Sequence, residues 1–417
     1  MNGLPEDIHR EIASYISEAD RQVLRMTATC FRPAIKHTPA DFLKHGIVHD
    51  QLEFVELALE LSDKCASLIC EYAAVQGNLR ILQWARLQDH PWNEQVCAMA
   101  AKGGHAHILE WARENGCPWN ENTCEWAAFG GHLEILKWAR ASGCPYGARI
   151  LNSATRGGHI PILELLRTEM FGFDLWVYYE LAEYGHLSAL EYVYRAERPM
   201  DKSVCDVAAR NGHLHILQWA RANGCPWDTW VCANAAYGGH LHILQWARAN
   251  GCPWDSWTCT HAADGGHLEV LQWARANGCP WNELTCACAA GRSHLEVLQW
   301  ARANGCPWNA DVCEYAARNG HLEVLQWARA NGCPWNELTC TYAAIRGYLE
   351  ILRWARSEGC PWDEGVCACA AMNGRLEILQ WARANGCPWN PRSCIAVAES
   401  RPKIQKWIID ECGGVLD

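Results

Sequence analysis

The sequence predicts an all-α protein, an α-solenoid of about 13 helix pairs without long β-hairpins, behind a short non-repeating helical segment. Three observations predict it. The prolines from Pro91 to Pro388 recur every 27 residues, with a single gap of 54 whose missing beat is Gly172. Within each period, apolar residues fall at helical spacing in two runs. Two short helices and two tight turns then fill the period, leaving no room for a strand.

Taken in order, the first 35 residues do not repeat. Pro5 followed by Glu6 and Asp7 is a helix start, because the missing proline N–H costs nothing in the first turn. Leu4, Pro5, Ile8, Ile12, Ile16 and Leu24 present an apolar face larger than so few residues can bury among themselves. Leu4-Pro5-Glu6-Asp7-Ile8, Ile12, Tyr15-Ile16, Asp20, Val23-Leu24-Arg25 and Cys30-Phe31-Arg32 resemble the F-box in their order. The resemblance implies that those six residues bind the Skp-type adaptor of a cullin-RING ubiquitin ligase. The alternative is a helical cap, which any repeat array requires. Residues 1–47 are assigned to this segment and 48–417 to the array. The array opens where Leu52-Glu53-Phe54-Val55 falls in register with Leu79-Arg80-Ile81-Leu82.

One unit runs from 282 to 308. Asn282 is placed to cap the first helix, with Glu283 in its first turn. Cys286, Ala289 and Ala290 form its apolar face, and Gly291-Arg292-Ser293 ends it. A second helix begins near His294 and carries Leu295, Val297, Leu298, Trp300 and Ala301 at helical spacing. Asn304-Gly305 stops it, and Pro307 prevents its continuation. The recurring Cys-Pro-Trp is therefore read as a joint: cysteine closes the core, proline breaks the helix, and tryptophan covers the seam. Metal or redox chemistry would need converging ligands, and Cys279 and Cys286 stand seven residues apart with no Cys-x-x-Cys beside them. No metal and no cofactor is expected.

Ala289-Ala290, two variable residues, Gly320-His321-Leu322-Glu323-Val324 and Asn331-Gly332 resemble the ankyrin repeat in their order. Ankyrin units are about 33 residues long, so the projecting hairpin is trimmed here. The ankyrin Thr-Pro-Leu-His start is also missing, and Trp300-Ala301 stands where ankyrins place two leucines. Shortened arrays of this kind are similar to those of giant DNA viruses of amoebae.

An ankyrin-like stack implies a curved surface built from the exposed positions of the first helices. Those positions vary while the joints do not. The candidate partner-binding surface is Trp126, Phe129, Arg156, Tyr184, Arg210, Tyr237, His261, Asp264, Tyr315, Arg318, Tyr342 and Arg346, rich in the residue types that anchor interfaces. Residues 146–200 depart most from the pattern, with Tyr146 and Gly172 at the joint and a uniquely aromatic stretch, FGFDLWVYY.

Composition narrows the partners. A net charge of −11 does not attract phosphate backbones, so nucleic acid is not expected. No apolar run has the length of a membrane span, and the start lacks a secretory core. The 25 cysteines read as reduced core residues. Histidines opening the second helices, from His105 to His321, read as hydrogen-bonded turn residues. With no nucleotide-binding loop, no His-Glu-x-x-His and no Gly-x-Ser-x-Gly, no catalysis of its own is expected. The sequence therefore predicts an intracellular, monomeric, cytoplasmic or nuclear adaptor (in a host cell if viral) that holds a target protein. A scaffold unrelated to ligases is the alternative.

Overall fold

A computed structural model describes residues 38–62, 64–170, 173–197 and 200–412. Of the segment assigned to 1–47, residues 1–37, with Leu4, Pro5, Ile8, Ile12, Ile16 and Leu24, lie outside the described residues, whereas its end forms most of the helix Pro39–Val48. Among those described there are 28 helices and no strand. Two helices make each pair, giving 14 consecutive pairs that begin with Pro39–Val48 and Leu52–Leu61. The expected all-α, ankyrin-like helix-pair architecture without β-hairpins is the one observed.

The unit read above folds as Glu283–Gly291 followed by Leu295–Ala303. Its second helix ends in a Schellman motif: Gly305 donates to the Arg302 carbonyl at 3.1 Å and Cys306 to the Ala301 carbonyl at 2.9 Å. Gly305 sits at φ 83°, a conformation that excludes most side chains. The Asn304 amide donates back to the Trp300 carbonyl at 2.8 Å, satisfying another carbonyl of the last turn. The guanidinium of Arg302 stacks 4.1 Å over Trp308 and donates to the Cys306 carbonyl. Trp308 in turn meets Trp327 of the following repeat edge-on, with ring centroids 6.1 Å apart. The same edge-on contact joins Trp281 to Trp300 and Trp335 to Trp354. The Cys-Pro-Trp trio is thus a joint, and the tryptophan spans its seam.

One cap departs from expectation. Asn93, Asn120, Asp228, Asp255, Asn336 and Asp363 each accept the N–H two residues on, at 2.9–3.0 Å. Asn282 occupies the equivalent position but makes no such bond, because its amide is turned to the Ser256 hydroxyl at 3.4 Å.

The core lies between the two helices of each pair and between neighbouring first helices. Val297, Leu298 and Ala301 face Cys286, Ala289 and Ala290, all buried. Full burial of a Val or Leu side chain stabilises by about 1.5–3 kcal/mol. From Pro39–Val48 to Arg149–Gly157, and again from Ser203–Arg210 to Pro391–Val397, each first helix packs on the first helix of the next repeat. Contacts divide the chain into two units. One runs up to Leu181 and includes Ser188–Glu197; the other comprises Ala182–Leu187 and the repeats from Ser203–Arg210 onward. The division falls inside the stretch whose sequence departs most from the repeat. No helix among the described residues is long and apolar enough to cross a membrane.

Candidate surface on the first helices

A 27-residue period places equivalent positions of adjacent first helices side by side, so variable residues meet as rows. In the first unit, Trp126 and Phe129 stand edge-on with centroids 5.4 Å apart, and the Lys102 ammonium lies 4.3 Å above Trp126. Arg156 makes an ion pair of 3.0 Å with Glu180, whose carboxylate is buried.

The second unit carries a longer row. Tyr184, half exposed near its start, stacks on His186 at 6.5 Å. Further along, Arg210 lies 4.7 Å over Tyr237, and Tyr237 touches His261 with centroids 5.8 Å apart. His261 is also flanked by Trp230 and Trp257, which stack on each other at 6.2 Å and remain 42% and 44% exposed. Burial lowers the pKa of this imidazole, so it is neutral at physiological pH. Neither tryptophan was among the expected surface residues. The signal was available: Trp230 and Trp257 lie off the two joint positions where the other repeats keep tryptophan.

Beyond this aromatic shelf a recess of about 280 Å³ opens across four successive first helices. Cys288 and Gly291 lie among its lining residues, and Tyr315, Arg318 and Arg346 line it from the later repeats. From the earlier side comes Asp264, paired at 3.0 Å with Arg292, which follows Gly291. Burial pushes the Cys288 thiol up to about 11, so it is protonated at neutral pH. Arg318 also sits 5.6 Å over Tyr342. The structure therefore gathers Arg210, Tyr237 and His261 into one cluster and Asp264, Tyr315, Arg318 and Arg346 around another. Trp126, Phe129 and Arg156 lie in the first unit and join neither.

The cysteines make contacts that the seven-residue spacing did not suggest. In nine repeats the first-helix thiol is hydrogen-bonded to the thiol 20 residues later, as in Cys259 with Cys279 and Cys286 with Cys306. The second thiol of each couple reaches the carbonyl that opens its repeat, Cys279 to Asp255 at 3.4 Å. The shared hydrogen bond and burial hold the Cys259 thiol above its ordinary pKa, a state in which it is inert. Sulfurs thus meet in twos, and among the described residues no group of three or more metal-ligating side chains forms.

Stacked helix pairs with constant joints and a variable face over their first helices define an ankyrin-like helical-repeat protein. No protein-family model matches the chain, and no curated protein matches it. Among solved structures it is similar to the human ASB11 ankyrin repeat domain, at 17% identity and a TM-score of 0.31. That match covers 38% of this chain and 84% of that one. It is also similar to the pentatricopeptide repeat protein PPR10 from maize, at 14% identity and a TM-score of 0.29, covering 98% and 78%.

Proposed function

We propose that the chain is a protein-interaction adaptor that holds a target protein on its first-helix face. The observation that carries this reading is the contrast between joints repeated unchanged from Cys225-Pro226-Trp227 to Cys387-Pro388-Trp389 and a face where aromatic rings and guanidinium groups are exposed in rows. Helices packed in pairs offer a broad surface, and Tyr, Trp and Arg are the side chains that contribute most to protein interfaces.

The N-terminal segment supplies the second half of the proposal. Its F-box-like order is the support for a Skp-type linker subunit binding at Leu4, Pro5, Ile8, Ile12, Ile16 and Leu24. The array would then bring the target close to a ubiquitin-conjugating enzyme, whose chemistry gains from proximity. The protein itself supplies no reaction in this scheme, and it works inside the cell as a monomer. Co-purification of the full-length chain from cells, read by mass spectrometry, tests it. The linker subunit is expected with the natural sequence and is expected to disappear with Ile8→Asp plus Leu24→Asp. Retention of that subunit by the double variant sinks the ligase assignment and leaves a scaffold.

A further inference from the structure

The recess arises from two departures on one helix. After the paired small residues, the repeats carry a side chain at each equivalent position from Lys102 to Met372, except at Gly291. One turn earlier, His261, Tyr315 and Tyr342 flank a position that holds only Cys288. Residues 288 and 291 are three apart, so both lie on the same face of Glu283–Gly291. A gap is left where the neighbouring repeats place bulk. At about 280 Å³ it falls below the size that suits a drug-like ligand and fits one or two side chains.

Charge selects which side chain. The Asp264 carboxylate that lines the recess is already neutralised by Arg292 at 3.0 Å. Arg318 has the Tyr342 ring beneath it, and among the described residues neither Arg318 nor Arg346 is in an ion pair. The other acids on the Tyr315 helix are engaged elsewhere: Asp311 accepts from the Asn309 amide at 3.0 Å and Glu314 from the Asn336 amide at 2.9 Å. Two uncompensated guanidinium groups therefore face one small cavity in a chain whose net charge is −11. A planar carboxylate matches the donor fork of arginine.

We propose that this recess anchors an acidic side chain, Glu or Asp, of the partner polypeptide, with Arg318 and Arg346 as its counter-charges. Resting on the adaptor reading, this assigns the polarity of the partner. The exposed stack of Trp230 and Trp257, the latter on the same helix as Asp264, receives the apolar residues beside the anchor.

The experiment selects binders to the immobilised full-length chain from a random peptide library, then measures the winners by fluorescence anisotropy. Selected peptides are expected to carry Asp or Glu, and replacing that acid with its amide is expected to weaken binding at least tenfold. The same loss is expected in Arg318→Gln plus Arg346→Gln, and in Gly291→Leu, which fills the recess without touching charge. Circular dichroism reports whether each variant is folded; the arginine pair is on the surface and remains decisive if Gly291→Leu is not. Winners without an acid, or with affinities unmoved by the arginine variants, overturn the anchor while leaving the adaptor reading standing. A tenfold preference for phosphoserine over glutamate at the anchor overturns the carboxylate assignment. If no peptide is selected, the anchor is overturned, and loss of all co-purifying proteins would remove the adaptor reading with it.

Discussion

Asp206 occupies a position where sister repeats carry Ala98, Ala233 and Ala287. Its Oδ1 is buried without a hydrogen-bond partner, and burial pushes its carboxyl up to about 6 from an ordinary 3.8. A carboxyl with a raised native pKa favours the folded state fully only below the unfolded value. That contribution is lost as pH rises from 3.8 through 6. Asp206→Ala is therefore expected to raise the Tm at pH 8 and to leave it nearly unchanged at pH 4. Equal shifts at both pH values would show that the carboxylate is not strained. The acid could be seen in the sequence, as could Glu125 and Glu314 at the same position of other repeats, but its cost depends on burial, which only the packed neighbours fix.

At the scale of the element, eight histidines that open second helices, from His105 to His321, tie their repeats to the turn before. The Nε2–H of His132 donates to the Lys102 carbonyl at 3.0 Å, and His321 to the Gly291 carbonyl at 3.1 Å. The imidazole lies over a glycine at positive φ: a Cβ on Gly104, at φ 79°, would stand 2.5 Å from Cε1 of His132. Gly104→Ala is expected to destabilise by at least about 1–2 kcal/mol from the left-handed backbone alone, with the lost histidine bond added. Urea denaturation measures it, and an unchanged midpoint refutes the tie. The joints were legible in the sequence because proline, glycine and helical periodicity act locally. The histidine ties span 30 residues, the thiol couples 20, and Asn282 turns toward Ser256. Those depend on where the preceding turn or repeat lies, which no short window of residues reveals. The recess was half legible: Arg318, Arg346 and Tyr315 stood out as large exposed residues, whereas Gly291 and Cys288 mattered through what they lack.

For the whole molecule, nearest-neighbour packing sets the stability. Helix Glu337–Arg346 contacts Glu364–Met372, and that helix contacts Pro391–Val397. Removing residues 363–417 deletes two pairs and uncovers one apolar face. The expected result is a lower Tm with helicity retained in the remaining repeats, read by far-ultraviolet circular dichroism. Collapse of the entire helical signal would contradict a stack held by adjacent contacts.

The edge-on tryptophan seams give this chain a particular freedom to evolve. Because Trp281–Trp300 and Trp308–Trp327 are geometrically interchangeable, unequal crossing-over can insert or delete whole 27-residue modules with every junction still matched. Length is thus inexpensive to change. The Gly291 cradle is different, since its walls come from unlike neighbours, and a duplication falling inside it would erase the pocket while leaving the architecture sound.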